Sequence, residues 1–117
     1  MEPSGKTVVA SVLFLDIVGY SILGVGRQVE VKQAFNEALL TALGSVEQED
    51  RVVVDTGDGA AIAILNDPER ALFVAIAIFD GIGHMRVRGG VNLGPISLTT
   101  DINGHANVIG DGINVAQ

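Results

Sequence analysis

The sequence predicts an α+β domain: one antiparallel-rich sheet with helices on a single face. Three observations predict it. Segments of strand and helix periodicity alternate as strand, helix, hairpin, helix, hairpin. A glycine-centred turn, Thr56-Gly57-Asp58-Gly59, separates two runs rich in valine, isoleucine and alanine. The 117 residues are 48% hydrophobic with a mean hydropathy of +0.44, enough apolar material for one core and no more than one domain, 1–117.

Each element follows from its own pattern. Lys6 to Leu15 (KTVVASVLFL) is β-branched and apolar and reads as a central strand buried on both faces, ending at Asp16. From Arg27 to Leu43, Val31, Phe35, Ala38, Leu39, Ala42 and Leu43 recur at helical spacing, with Glu30, Gln33, Glu37 and Thr41 on the other side. Gly44 is placed to end that helix. Arg51 to Thr56 and Ala60 to Leu65 form a hairpin around Gly57-Asp58-Gly59. Asp67 and Pro68 supply an N-cap and a first helical residue for a second helix that runs through Phe79 and stops near Gly81. Arg86 to Leu93 and Ile96 to Thr100 read as a second hairpin bent at Gly94-Pro95, and Asn103-Gly104 marks another turn. The last eight residues, Gly110 to Gln117, read as the opening of a helix. The order matches a ferredoxin-like palm. Its uncovered sheet face predicts a partner, hence a dimer.

Composition narrows the function. A net charge of −7 argues against a nucleic-acid partner but not against a nucleotide, because bound divalent cations reverse the local sign. No cysteine is present, which excludes disulfides and thiolate metal sites and fits a reducing, cytoplasmic setting. The start MEPSGK has no basic and apolar signal pattern, and no apolar run approaches the ~20 residues of a membrane span.

Two carboxylates carry the chemistry. Asp16 sits at the exit of the first strand and Asp58 at the hairpin tip, and in a palm these positions converge at one end of the sheet. Paired carboxylates with room for phosphate oxygens suit Mg²⁺ or Mn²⁺. Two such ions could activate a hydroxyl and steady a leaving pyrophosphate. The loop Ile17 to Ser21 offers consecutive backbone N–H groups to a polyphosphate. Taken alone, the two aspartates fit a strand terminus and a turn residue equally well. His84 and His105 read as surface residues, Gly90 and Gly94 as packing glycines, Lys32 and Glu30 as helix-surface charges. Leu72, Phe73, Ile76 and Phe79 read as core or dimer packing.

Four blocks in order, FLDIVGYS (Phe14–Ser21), TGDG (Thr56–Gly59), GVNLGP (Gly90–Pro95) and IGDGINVA (Ile109–Ala116), resemble the class III adenylate/guanylate cyclase catalytic domain. The resemblance implies two-metal cyclisation of ATP or GTP to cAMP or cGMP, with pyrophosphate leaving, in a head-to-tail homodimer. It makes Asp16 and Asp58 the metal-binding aspartates, with the backbone carbonyl of Ile17 assisting. Val18, Gly19 and Tyr20 match the phosphate loop, and Asn114 the catalytic asparagine that orients the ribose. The family's transition-state arginine falls one position past Gln117, and its C-terminal strands with a phosphate-binding lysine further on. The chain therefore reads as a C-terminally incomplete cyclase homology domain.

The base-reading positions depart from the family. Lysine or glutamate is usual four residues before the second aspartate, and Val54 stands there; the second position is Asn107, whose amide both donates and accepts. Asp55 could substitute for Val54 only through a register slip that turns its side chain to the other face. The alternative is a degenerate cyclase-homology domain serving nucleotide binding or dimerisation in signalling. A diguanylate cyclase fits worse, since its Gly-Gly-(Asp/Glu)-Glu-Phe hairpin is absent.

Overall fold

The structure, a computed structural model, describes residues 6–65, 67–100 and 106–109. Strand β1 (Lys6–Ile17) leads through a single 3-10 turn at Tyr20–Ile22 into helix α1 (Val25–Leu43). Strands β2 (Arg51–Asp55) and β3 (Gly59–Leu65), helix α2 (Pro68–Gly81), and strands β4 (Val87–Thr100) and β5 (Ala106–Ile109) follow. The five strands form one antiparallel sheet in the order β2-β3-β1-β4-β5. The predicted α+β palm is the observed fold, with β1 at its centre.

Alternation along the strands sorts the side chains. Leu13, Leu15 and Ile17 of β1 and Ala60, Ile62 and Ile64 of β3 share one face, where they meet Phe35, Leu39 and Leu43 of α1 and Ala71, Val74 and Ile78 of α2. Helix α2 begins where its sequence says it should. Asp67 Oδ1 accepts the amides of Glu69 (3.1 Å) and Arg70 (3.4 Å), and Pro68 needs no donor partner. Such a cap contributes about 1 kcal/mol.

The other sheet face is not open, contrary to the expectation that predicted a dimer through it. Ala10, Val12, Val52 and Ala63 are buried there, with Phe14, Val54 and Leu65 packed around them. The sheet coils far enough that its edge strands β2 and β5 approach within 8 Å between Cα atoms. Exposed apolar side chains include Leu72, Phe73, Ile76 and Phe79 of α2 and Val91 and Leu93 of β4.

Two further differences concern turns. Gly94-Pro95 is no bend: β4 runs unbroken from Val87 to Thr100 and pairs with β1 from Val87 to Leu98. The β5 ladder starts only at Ser97, so Pro95 faces a stretch of β4 edge with no partner strand among the described residues, where its missing N–H costs no ladder bond. Gly44 follows the last residue of α1 but stays right-handed at φ −59°, its amide bonding Thr41 (3.2 Å). The turn expected at Asn103-Gly104 and the helix expected from Gly110 lie outside the described residues.

Candidate active site

Two turns meet at one end of the β1–β3 pair. In the hairpin, Gly57 adopts φ 89° and Thr56 N–H bonds the carbonyl of Gly59 (3.3 Å). Gly59 then pairs with Asp16 across the sheet. A methyl group on Gly59 would overlap the Leu15 carbonyl and lie 2.8 Å from Asp16 Cα, so only glycine lets the hairpin close on β1. Ile17 N–H completes the contact by donating to the carbonyl of Asp58 (2.8 Å). These bonds bring Asp16 and Asp58 to the wall of one cavity of about 460 Å³, shared with Phe14, Thr56, Arg88 and Gly90.

Arg88 is the residue the sequence reading missed. It stands directly opposite Asp16 in the β1–β4 register and grips it with both arms of the guanidinium, Nε to Oδ1 at 3.2 Å and Nη2 to Oδ2 at 3.0 Å. The hydrogen bonds to Asp16 raise the Arg88 pKa further above its ordinary range, and the Asp58 charge adds to the effect. A cation thus already rests on the carboxylate that the motif marks for a metal. A signal was available: Arg88 is one of only seven Lys and Arg in the chain and sits two residues before Gly90 of the third block.

The donor set suits a hard divalent cation. Two carboxylates converge, and among the described residues no third His, Cys, Asp or Glu joins them. A six-coordinate Mg²⁺ or Mn²⁺ held by few protein oxygens keeps positions for water and phosphate. Asp58 is exposed and Asp16 about one-third so.

The phosphate-loop residues divide. Gly19 adopts φ 72°, a left-handed conformation that sets the loop's turn. The Val18 amide is bonded to the Arg86 carbonyl (2.9 Å). The 3-10 turn that follows is three residues long and forms no helical N-terminus for a polyphosphate.

The base-reading positions are also resolved in part. Val54 shares a cross-strand row with Ala61, Phe14 and Gly90, on the same face as Asp16 and one row below it. Asn107 pairs with Thr99, eleven residues along β4 from Arg88, roughly 35 Å at the usual rise per strand residue. Asn114 lies outside the described residues.

Asp55 is engaged within the hairpin through one of its two oxygens. Its Oδ1 accepts Lys32 Nζ (2.8 Å) and the Gly57 amide (2.7 Å). Lys32 is therefore no ordinary helix-surface charge; only 14% of its side chain is exposed. Its hydrogen bond, then that of Gly57, holds the Asp55 carboxyl below the usual range. A depressed carboxylate pKa stabilises the fold above the unfolded-state value of about 3.9, and that stabilisation is lost as pH falls through the lowered one. Asp55→Asn should consequently narrow its stability deficit against the parent on acidification from about pH 6 to pH 3, as measured by urea unfolding. A deficit that stays constant across that range would refute the linkage.

No protein-family model matches the chain, and no curated protein matches it in sequence. Solved structures do. The guanylyl cyclase Cya2 superposes with a TM-score of 0.75 at 14% identity, over 97% of this chain and 70% of that one. The chain has the fold of class III nucleotide cyclase catalytic domains. The catalytic core of a rhodopsin-guanylyl cyclase with converted specificity, in complex with ATPalphaS, gives 0.71 at 21% identity over 98% of this chain and 73% of that one. The guanylate cyclase domain of RhGC from Catenaria anguillulae, in complex with GTP, gives 0.67 at 22% identity over 95% and 71%. In the cyclase fold of this chain, no helix among the described residues is long and apolar enough to cross a membrane.

Proposed function

We propose that this domain is a nucleotide cyclase that converts ATP or GTP into cAMP or cGMP with release of pyrophosphate. The observation that carries the reading is the convergence of Asp16, Asp58 and Arg88 on one cavity at the end of β1, in a chain with the cyclase fold. Asp16, Asp58 and the Ile17 carbonyl would hold two Mg²⁺ or Mn²⁺ ions. When bound, the ions would favour an ionised ribose 3′-hydroxyl and offset charge on the leaving pyrophosphate.

The chain's own groups do the rest. The amides of Gly19 and Tyr20 receive phosphate oxygens, since Val18 is already engaged. Arg88, once released from Asp16, carries its charge to the triphosphate as a planar fork suited to phosphate oxygens. Asn114 orients the ribose. The 3′-oxygen then bonds to the α-phosphorus as the α–β bridging bond breaks, the hydroxyl proton leaves to solvent and pyrophosphate departs. In the head-to-tail homodimer that the four motif blocks imply, a second copy would supply the base contacts.

Val54 offers a base no hydrogen bond, and Asn107 both donates and accepts, so the two triphosphates are expected to react at rates within about tenfold of each other. Incubation with Mn²⁺ and each triphosphate, with chromatographic resolution of the products, tests this. No cyclic nucleotide from either at high protein concentration would sink the reading. One observation favours a binding module instead: Asp16 is held bidentately by Arg88. Tight triphosphate binding by calorimetry, without turnover, would decide for it.

A further inference from the structure

The turn that carries Asp58 is held from a third element, helix α1. Lys32 has three ammonium hydrogens, and all three are used: on Asp55 Oδ1 at 2.8 Å, the Gly57 carbonyl at 2.9 Å and the Gly59 carbonyl at 3.0 Å. The nitrogen lies 5.9 Å from the centroid of the buried Phe35 ring, a side chain anchored in the core. Asp55 in turn receives the Gly57 amide. The carbonyls on either side of Asp58 are thus pinned to one cation, and the carbonyl of Asp58 itself is pinned to Ile17 of β1. The Asp58 carboxylate has no hydrogen-bond partner among the described residues.

We infer that Lys32, with Asp55, is the positioning residue of the Asp58 turn. It fixes the peptide planes flanking Asp58 so that the free carboxylate faces the Asp16 side of the cavity before a cation arrives. This rests on the reading of Asp16 and Asp58 as a metal pair. A carboxylate on an exposed three-residue turn would otherwise sample many directions, and ordering it on binding would weaken affinity.

A tie that merely joined α1 to the hairpin would lower stability and leave the affinity of the folded protein unchanged. The two roles separate in a Mn²⁺ titration followed by electron paramagnetic resonance, on the full chain and well below each variant's Tm. Lys32→Met is expected to weaken Mn²⁺ binding about tenfold, the usual cost of losing a group that orients a ligand. It should also accelerate hydrogen exchange of the Thr56 and Gly57 amides in the metal-free protein. Lys32→Arg, which keeps the charge and part of the contact, should recover much of both losses. Asp55→Asn, which keeps the acceptor, gives a smaller loss in the same direction should Lys32→Met not fold. Mn²⁺ affinity within twofold of the parent in a folded Lys32→Met protein overturns the inference. If the parent binds no Mn²⁺ while exchange at Gly57 still responds to Lys32→Met, the metal reading fails and the clamp on the turn stands.

Discussion

Asp58→Asn is expected to reduce cyclic-nucleotide formation by on the order of 10³-fold while leaving the fold intact. The expectation joins two features of the turn. The backbone of Asp58 is held at its carbonyl by Ile17, and the flanking carbonyls by Lys32, none of which involves the carboxylate. The side chain is exposed, so an amide of the same shape should change stability by less than about 0.5 kcal/mol. The chemistry is another matter. One of two carboxylates in the cation site would become neutral, and losing several kcal/mol of charge stabilisation in the transition state corresponds to about three powers of ten. Circular dichroism melts, Mn²⁺ titration and product assay on the same preparation separate the effects. A variant that melts like the parent but keeps a tenth or more of its turnover would remove Asp58 from the site. One that melts much lower would show that the carboxylate has a structural partner.

Where the sequence was legible, the interactions were local. The Asp67 cap, Pro68 at the first helical position, the apolar stripe of α1 and the glycine-flanked hairpin tip all depend on residues within a few positions of one another, and each is seen. Where it was not, a partner distant in sequence decided the outcome. Gly94-Pro95 has the local chemistry of a turn, yet β1 pairs along nearly the whole of β4 and holds it extended. Lys32 occupies a helix-surface position by its period, and nothing in that period shows that its stem reaches a hairpin 25 residues later. Arg88 and Asp16 are 72 residues apart and become neighbours only through the β1–β4 register. The motif blocks located the two aspartates without that knowledge. The groups that neutralise and orient those aspartates come from the tertiary fold, and periodicity does not report it.

Gly59→Ala tests the closure of the hairpin on β1, and its expected cost is large. The added methyl would meet backbone rather than a flexible side chain: the Leu15 carbonyl group and Asp16 Cα. Relief requires β3 to move away from β1 at the Asp16–Gly59 pair, which strains the Ile17–Asp58 bond and the Lys32 contact to the Gly59 carbonyl together. Overpacking against backbone lies at the upper end of such substitutions, about 3 kcal/mol, or roughly 10–20 °C in Tm for a domain of this size. Gly57→Ala provides the comparison. Gly57 has open space around it, and its φ of 89° alone penalises a side chain, by about 1–2 kcal/mol. The order of the two losses in urea unfolding is therefore diagnostic. If Gly57→Ala costs more than Gly59→Ala, backbone conformation rather than close approach shapes the turn, and Asp58 need not be pressed against the end of β1. If Gly59→Ala costs more, the same displacement should weaken Mn²⁺ binding in whatever fraction remains folded, because Asp16 and Asp58 separate when their strands do.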